Sequence, residues 1–548
     1  MSNGKFFSAL AIVGLLFLAV IGGGCGGGSA QERSIVILYT NDVHCGVDEN
    51  IGYAGLAFYK HEMEKSTPYV TLVEAGDAVQ GGIIGAISNG RYIIEIMNAV
   101  SYDFAVPGNH EFDYGMSQFE DFAKTLTCGY VSCNFRNTVT GQIVFEPYRM
   151  FKYGNTKVAF VGACTPATIT TSTPSSFMND VGDYIYDFDG DKTGEKLCAS
   201  IQKAVDAARD EGANFVILVG HLGENVGAIE AWSVPYLIQR LHGIDAVIDG
   251  HSHEVTPSLK LRDRDGQEVT VTQTGTKLKY IGKMTIKPSG EITTELIDSV
   301  SGRDEKVSAL IAELKNRYED TLKTKLGRVD FDMLALDEKN AWLLRNSETN
   351  LCNFATDAIL AAAKEKEEKA DLALINAGGI RANLKAGELT YGDVLTAFPF
   401  GNTLCICDVP GQTILDELEL GVALMPDDFG GLLHVAGLSY SVDVTVKTPV
   451  QVDGNYRLVG VSDDPRRVKD ARVGGEPLDS KKTYSVIASS YVLREGGDGH
   501  RFKGAKMTTN DFITVADALA HYIKSFGGAV PEKYRNSEGR MYKSDSGD

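Results

Sequence analysis

Short runs of apolar, β-branched residues recur through the first half of the chain, and they alternate with longer stretches of helical periodicity. Strand-length runs separated by helical stretches are typical of a layered α/β domain, which we predict from residue 34 to about residue 297. The clearest predicted strands cover residues 35–39, 69–73, 104–106, 215–219 and 246–248.

A polar segment follows each of these five runs within one to four residues. The segments are Asn41-Asp42-Val43-His44, Gly76-Asp77, Gly108-Asn109-His110-Glu111, Gly220-His221 and Gly250-His251-Ser252-His253. In open α/β sheets, ligands gather at the carboxyl ends of the strands, so segments far apart in sequence can meet in one crevice. We therefore expect all five to form one site.

The second half of the chain predicts a separate folding unit. Residues 301–326 are charged and helically periodic, and we interpret them as a connector helix. Residues 327–542 contain their own strands, turns and glycine clusters, which indicate a second α/β domain that binds substrate. The predicted organisation is an N-terminal segment over 1–30, a first domain over 31–300, the connector and this second domain.

Composition narrows the classes of partner. The chain has 548 residues, of which 53 are basic and 73 acidic, and its net charge of -20 argues against a general nucleic-acid or anionic-membrane surface. Binding of an anionic small molecule would therefore need positive charge at the site itself, from metal ions and arginine. We see no sequence feature that requires a protein partner.

The N-terminus resembles an export signal. Lys5 precedes an apolar run from Phe6 to Ile21 that is shorter than the roughly 18 residues of a spanning helix, and a glycine-rich stretch follows. Cys25 in that stretch resembles a bacterial lipoprotein acceptor, whereas cleavage after Ala30 would release a soluble exported protein. We favour a periplasmic or cell-surface protein anchored through a lipidated Cys25.

The other cysteines do not have the paired CxxC spacing of a structural zinc site. Cys128 and Cys133 are close enough in sequence for a local disulfide in an oxidising compartment, and buried free thiols are an equal alternative.

The residue types in the five polar segments suit a pair of divalent cations. Asp42 and His44, two residues apart, can face one ion from an extended loop, and His253 can return to it. Asp77 is the natural bridging carboxylate. The second ion would then receive the amide oxygen of Asn109 and the imidazoles of His221 and His251.

The order of these segments resembles the calcineurin-like metallophosphoesterases. This resemblance implies a layered β-sandwich with flanking helices, with Asp42, His44, Asp77 and His253 at the first metal and Asp77, Asn109, His221 and His251 at the second. We expect His110 to stabilise the transition state or protonate the leaving oxygen, with Asp113 orienting its ring. Two ions of Mn, Zn or Co would activate a hydroxide for in-line attack on phosphorus.

Segments of the second half resemble the C-terminal domain of the exported 5′-nucleotidase family, which includes UDP-sugar hydrolases and 2′,3′-cyclic-nucleotide phosphodiesterases. By this resemblance, Asn376 and Arg381 would bind phosphate or the sugar region, Phe400 would stack on the base and Asn402 would contact the base edge. The segments are Asn376-Ala377-Gly378-Gly379-Ile380-Arg381, Phe398-Pro399-Phe400-Gly401-Asn402 and Gly496-Gly497-Asp498-Gly499-His500.

The chain departs from that family at several positions. His500 follows the Gly-Gly-Asp-Gly turn where relatives have Phe or Tyr, and we expect it to act as a smaller, pH-sensitive stacking ring. Ser347 stands where some relatives have arginine, and Arg345 is an open candidate for a substitute. His253 replaces a common glutamine, which can change metal preference.

Together these features predict an exported, metal-dependent phosphohydrolase of nucleotides whose two domains rotate to bring substrate to the metals. Two alternatives stay open at this stage. One is a thiosulfohydrolase of sulfur oxidation, which resembles the family in both domains, and the other is a non-catalytic surface binding protein.

Overall fold

A computed structural model describes residues 33–172, 174–179, 183–224, 229–462, 465–509 and 512–544. The predicted N-terminal signal and Cys25 lie outside the described residues. Among the helices that are described, none is long and apolar enough to cross a membrane.

The first domain is a sandwich of two sheets. One sheet has the spatial order Ile292–Ile297, Ile281–Ile286, Ile35–Thr40, Val70–Glu74 and Phe104–Ala105. The other has the order Val255–Arg262, Glu268–Thr274, Ala246–Ile248, Phe215–His221, Thr156–Cys164 and Tyr148–Tyr153.

Alternation along each central strand explains why the sheets are covered on both sides. In strand Ile35–Thr40, Ile37 and Tyr39 pack between the two sheets, whereas Val36 and Leu38 face the helices. The helices outside the first sheet are Gly52–Ser66, Arg91–Val100, Met116–Thr125 and Glu305–Asn316, and those outside the second sheet are Glu195–Asp210 and Val234–Ile238. The predicted α/β sandwich is therefore confirmed.

The predicted connector contains two helices, Glu305–Asn316 and Glu319–Leu322. The Asp304 side chain caps the first of them by accepting a hydrogen bond from the Val307 backbone N–H at 2.9 Å. Val307, Ile311 and Leu314 then pack into the core outside the first sheet. The connector is thus attached to the first domain along its apolar face.

The second domain is built on a five-stranded sheet in the order Leu433–Ala436, Leu372–Asn376, Thr483–Ser489, Leu404–Pro410 and Lys506–Thr509. Helices Asn350–Glu365, Tyr391–Ala397, Gly411–Gly421 and Val515–Ser525 pack into the same core. A four-stranded sheet, with the order Glu476–Pro477, Val468–Val473, Leu438–Asp443 and Met541–Ser544, completes it.

The thiols of Cys128 and Cys133 are free in this structure, the first half-buried and the second buried. Of the two alternatives that the sequence allowed, the structure therefore contains the free thiols.

Candidate metal centre and substrate cavity

The five polar segments meet because their strands end at the same edge. Strands Ile35–Thr40, Val70–Glu74 and Phe104–Ala105 run parallel in the first sheet, and Thr156–Cys164, Phe215–His221 and Ala246–Ile248 run parallel in the second. Parallel strands place their carboxyl ends together, so the loops of both sheets converge there. This is the arrangement that the sequence predicted.

One group of converging side chains consists of Asp42, His44 and His253, whose donor atoms all lie within 4.8 Å of one another. His253 Nε2 lies 3.3 Å from Asp42 Oδ1 and 3.0 Å from His44 Nε2. The His44 Nδ1 is 2.9 Å from the Gln80 carbonyl oxygen, and a ring that donates there leaves its Nε2 lone pair facing the group.

The second group consists of Asp77, His221 and His251, again with donor atoms within 4.8 Å. Asp77 Oδ2 lies 3.2 Å from His221 Nε2 and 3.7 Å from His44 Nε2, which places this oxygen between the two groups. Asn109 Oδ1 lies 3.3 Å from His221 Nε2. His221 Nδ1 is 2.8 Å from the Ala75 carbonyl oxygen, so its Nε2 also faces inward. Carboxylate, amide and imidazole donors in two adjoining groups fit a dinuclear site for divalent cations.

The backbone at this centre is unusual for residues other than glycine. Asp42, His44, Asp77, His251 and His253 have φ angles of 50°, 44°, 61°, 79° and 58°, all in the left-handed region. Residues other than glycine rarely adopt this region. Such backbone strain is found mainly at functional sites, where the surrounding structure imposes it. These five loop positions carry donor atoms of the two groups.

Two glycines make this close approach possible. A Cβ atom on Gly108 would lie 2.2 Å from Asp77 Oδ1, and one on Gly76 would lie 2.6 Å from His221 Nδ1. Both glycines precede a predicted ligand in sequence, so their function is to let neighbouring loops pack without side chains between them.

Two buried carboxylates lie beneath the centre, and the sequence predicted a role for neither. Glu111 accepts hydrogen bonds from the backbone N–H groups of Asp77, Ala78 and Gly108, at 2.9, 2.8 and 2.6 Å. Asp249 accepts from those of Leu222 and Gly223, both at 3.0 Å. Glu111 ends the segment Gly108-Asn109-His110-Glu111 and Asp249 immediately precedes Gly250-His251-Ser252-His253, and these positions in the sequence were the available signal.

The pKa values of the histidines at the centre depend on their burial and on the charged side chains beside them. Burial alone would lower the pKa of His221, but the Asp77 and Asp42 carboxylates and the Ala75 carbonyl together raise it to about 10. Burial and the neighbouring His221 lower the pKa of His251 to about 3. The two rings differ because Asp77 contacts His221 directly.

His110 and Asp113 form a pair next to the centre. His110 Nδ1 lies 2.6 Å from Asp113 Oδ2, and the Ser172 hydroxyl donates to Asp113 Oδ1 at 2.9 Å. The His110 backbone N–H donates to Asp77 Oδ1 at 2.8 Å, which fixes the ring relative to the metal groups. Burial opposes protonation of His110, but the Asp113 and Asp77 carboxylates together outweigh it and the pKa of His110 is raised.

A cavity of about 1030 Å³ joins this centre to the second domain. Residues of the first domain that line it include Asp77, Asn109, His110, Asp113, His251 and His253. The second domain contributes Asn376, Arg381, Phe400 and Asn402, all predicted to bind substrate. The ring centroids of Phe400 and His110 are 6.2 Å apart, so the two domains face each other across a short gap.

His500 is not among the residues that line the cavity, so the expectation that it stacks on a base is wrong for this structure. Its ring is fully buried. His500 Nδ1 lies 2.9 Å from Glu417 Oε2, and Nε2 lies 2.8 Å from the Gly431 carbonyl oxygen. Imidazole, unlike a phenyl ring, can be held in a polar interior by two hydrogen bonds, and this explains its turn inward.

The cavity contains other groups that the sequence left open or did not reveal. Arg345 reaches it, with its guanidinium 4.3 Å from the centre of the Trp342 ring. Burial and the nearby Arg381 lower the pKa of Arg345 to about 10. Phe429 and Tyr456 also line the cavity and supply aromatic surface from the second domain.

Comparisons with known proteins agree with this architecture. Residues 35–255 match the family model of the calcineurin-like phosphoesterases, and residues 329–506 match that of the 5′-nucleotidase C-terminal domain. The chain is 27% identical to the trifunctional nucleotide phosphoesterase YfkN of Bacillus subtilis over 92% of its own length. It spans 35% of that longer protein. It is 26% identical to the 5′-nucleotidase of Bos taurus, over 92% of this chain and 90% of the bovine one.

Solved structures share the fold over nearly the whole length. A 5′-nucleotidase precursor from Thermus thermophilus superposes with a TM-score of 0.75, at 24% identity, over 94% of this chain and all of that one. The sulfate thiohydrolase SoxB of the Thermus genus superposes with a TM-score of 0.67, at 19% identity, over 94% and 97% of the two chains. The chain therefore belongs to the calcineurin-like phosphoesterases that carry a 5′-nucleotidase C-terminal domain, and it is a hydrolase of phosphoric esters.

Proposed function

We propose that the protein removes phosphate from nucleotides, with 5′-nucleotides as its main substrates and UDP-sugars or 2′,3′-cyclic nucleotides as further ones. The observation that carries this proposal is the shared cavity, in which a metal-type donor set and a base-sized aromatic surface face each other. A general phosphatase needs only the first of these. The names of the relatives, both nucleotide hydrolases, support the same substrate class.

Seven side chains would hold the two cations. The first cation would be held by Asp42, His44, Asp77 and His253, and the second by Asp77, Asn109, His221 and His251. When bound, two divalent ions supply an activated water and neutralise phosphoryl charge, and the identity Mn, Zn or Co is part of the proposal. The carbonyl partners on Nδ1 of His44 and His221 leave Nε2 of each ring facing the donor groups, where it would bind an ion.

His110 would act directly on the reacting group. Its Nδ1 is engaged by Asp113, so Nε2 is the atom that can donate to a phosphoryl or leaving-group oxygen. The raised pKa of His110 favours the protonated ring that such donation requires. Asp113 is a positioning residue, and Ser172 in turn positions Asp113.

The second domain would hold the nucleoside. Arg381 lies 5.9 Å from the centre of the Phe400 ring, close enough for one ligand to touch both side chains. Arg381 and Asn376 would bind phosphate oxygens or the sugar, Phe400 would stack on the base and Asn402 would contact its edge. Asp498 accepts a hydrogen bond from the Asn376 amide at 2.8 Å, which holds that side chain in the cavity wall.

The test compares AMP, UDP-glucose, 2′,3′-cyclic AMP and p-nitrophenyl phosphate in phosphate-release assays of the Mn²⁺-loaded protein. Base stacking contributes about 1–3 kcal/mol, so Phe400→Leu should lower kcat/KM for AMP roughly 5- to 150-fold and leave the aryl ester nearly unchanged. Phe526→Leu is the matched control, because Phe526 is also half-buried in the second domain but lies outside the cavity. Equal losses for AMP and the aryl ester would contradict a base-stacking role.

The thiosulfohydrolase alternative has less support. The likeness to SoxB shows the fold alone, and an enzyme of that kind has little use for the Phe400 ring beside the metal centre. A non-catalytic binding protein would be free to lose a ligand, whereas every predicted ligand is present at the centre. Absence of turnover across the nucleotide panel would bring both alternatives forward.

We also propose export and lipid anchoring at Cys25, on the basis of the N-terminal sequence. Expression of the full chain with radiolabelled palmitate, beside Cys25→Ser, tests this directly. Label in the membrane fraction that the variant loses would support anchoring. Release of an unlabelled mature protein by both would support cleavage after Ala30 instead.

A further inference from the structure

Gln80 is a buried polar residue at the metal centre with no part in the reaction proposed above. Its side chain is fully buried, yet neither Oε1 nor Nε2 has a hydrogen-bond partner among the residues the structure describes. Buried amides are almost always paired, and an unpaired one in a functional site calls for an explanation.

The backbone of Gln80 is held firmly against a predicted ligand. Its carbonyl oxygen is the group that accepts from His44 Nδ1, at 2.9 Å. The next residue, Gly81, has a φ of 119°, and a Cβ there would lie only 2.8 Å from the His44 Cβ. Gln80 therefore cannot move far from His44, and its side chain has a fixed origin three residues after Asp77.

Gln80 is among the residues that line the shared cavity, as are Asp77, His110 and His253. These neighbours belong to the first domain, whereas Phe400 and Asn402, the predicted contacts of the base, are residues of the second domain that line the same cavity. A ligand group that meets Gln80 is thus the part of the substrate at the metal centre and not the nucleoside.

We propose that Gln80 binds the phosphoryl group of the substrate, with Nε2–H donating to a phosphoryl oxygen. This inference rests on the proposed function and adds a contact to it. A neutral amide suits the position, because a lysine or arginine there would be repelled by two divalent cations. It also explains the unpaired amide, which gains its partner when an oxyanion enters.

The experiment uses Gln80→Met in the full chain, loaded with Mn²⁺, because methionine keeps the length of glutamine without its hydrogen bonds. Gln142→Met, on an exposed loop of the same domain, is the matched control. Three quantities are measured: the inhibition constant of inorganic phosphate, the rise in Tm that phosphate causes, and the metal content.

We expect Gln80→Met to raise the inhibition constant of phosphate about 5- to 30-fold and to shrink the phosphate-induced rise in Tm, with metal content unchanged. In the absence of phosphate its Tm should equal or exceed that of the unaltered protein, since an unpaired buried amide has been removed. Gln142→Met should match the unaltered protein in all three. Gln80→Ala should repeat the loss of phosphate affinity if the methionine variant does not fold.

An inhibition constant within about twofold of the unaltered value would overturn the proposal. Loss of metal would overturn it in favour of Gln80 as a metal contact, and a large fall in Tm without phosphate would overturn it in favour of a structural role. Failure of the proposed function is distinguishable, because the unaltered protein would then neither hydrolyse the nucleotide panel nor respond to phosphate.

Discussion

Replacing Glu111 with glutamine should destabilise the metal centre from beneath. The Glu111 carboxylate ties the loop of Asp77 to the loop of Asn109 through three backbone N–H groups, two on Oε2 and one on Oε1. Glutamine has the same shape but only one oxygen. If that oxygen keeps the bonds from Asp77 and Gly108, the new NH₂ group faces the Ala78 N–H, donor against donor.

The magnitude follows from these contacts. A hydrogen bond to a charged group contributes about 1.5–3 kcal/mol, and the Ala78 N–H that loses it is left buried without an acceptor, so we expect a loss of about 2–4 kcal/mol in the free energy of unfolding. A domain of this size loses roughly 2–4 °C in Tm for each kcal/mol, which corresponds to a fall of roughly 4–16 °C.

The assay is thermal unfolding of the full chain, with and without Mn²⁺, beside Glu120→Gln. Glu120 is exposed and lies 3.9 Å from Lys124, so its neutralisation should cost little. Glu111→Gln should also need more Mn²⁺ to reach its stabilised Tm, because the Asp77 loop must be reordered first. A Tm equal to that of Glu120→Gln would refute the reasoning and would mean that the three N–H groups find other acceptors.

Two further predictions concern the centre and the buried histidine. Asp77→Asn should lose metal and activity together, whereas His110→Asn should keep its metal and lose about 10²- to 10⁴-fold in kcat. Metal analysis and turnover assays distinguish the two results. Full turnover of His110→Asn would show that His110 does not act in the reaction. Burial lowers the pKa of His500, but Glu417, the Gly431 carbonyl and Asp498 together raise it by more. The charged His500 therefore stabilises the fold below the ordinary histidine pKa of about 6.5, and this contribution is lost as pH rises through the raised pKa. The Tm difference between the unaltered protein and His500→Gln should therefore shrink from pH 6 to pH 9, and a constant difference would contradict the paired charge.

The strands, and the meeting of the polar segments that follow them, could be predicted from the sequence because both depend on local order. Apolar, β-branched runs such as 35–39 and 215–219 have one stable use, as central strands, and the structure has Ile35–Thr40 and Phe215–His221 there. The carboxyl ends of parallel strands must share an edge, so Asp42, Asp77 and His221 had to meet once those strands existed.

What the tertiary structure alone decided is which way individual side chains point. His500 follows a turn that suggests a place in the cavity, yet Glu417 and Gly431, both far from it in sequence, hold its ring inside the core. Arg345 and Gln80 both line the cavity, and the Gln80 amide is unpaired. The pattern of apolar and polar residues along the chain predicts neither position. Sequence pattern fixes which backbone positions alternate and where strands end, whereas the burial and hydrogen bonding of one side chain depend on distant segments that only the packed fold brings together.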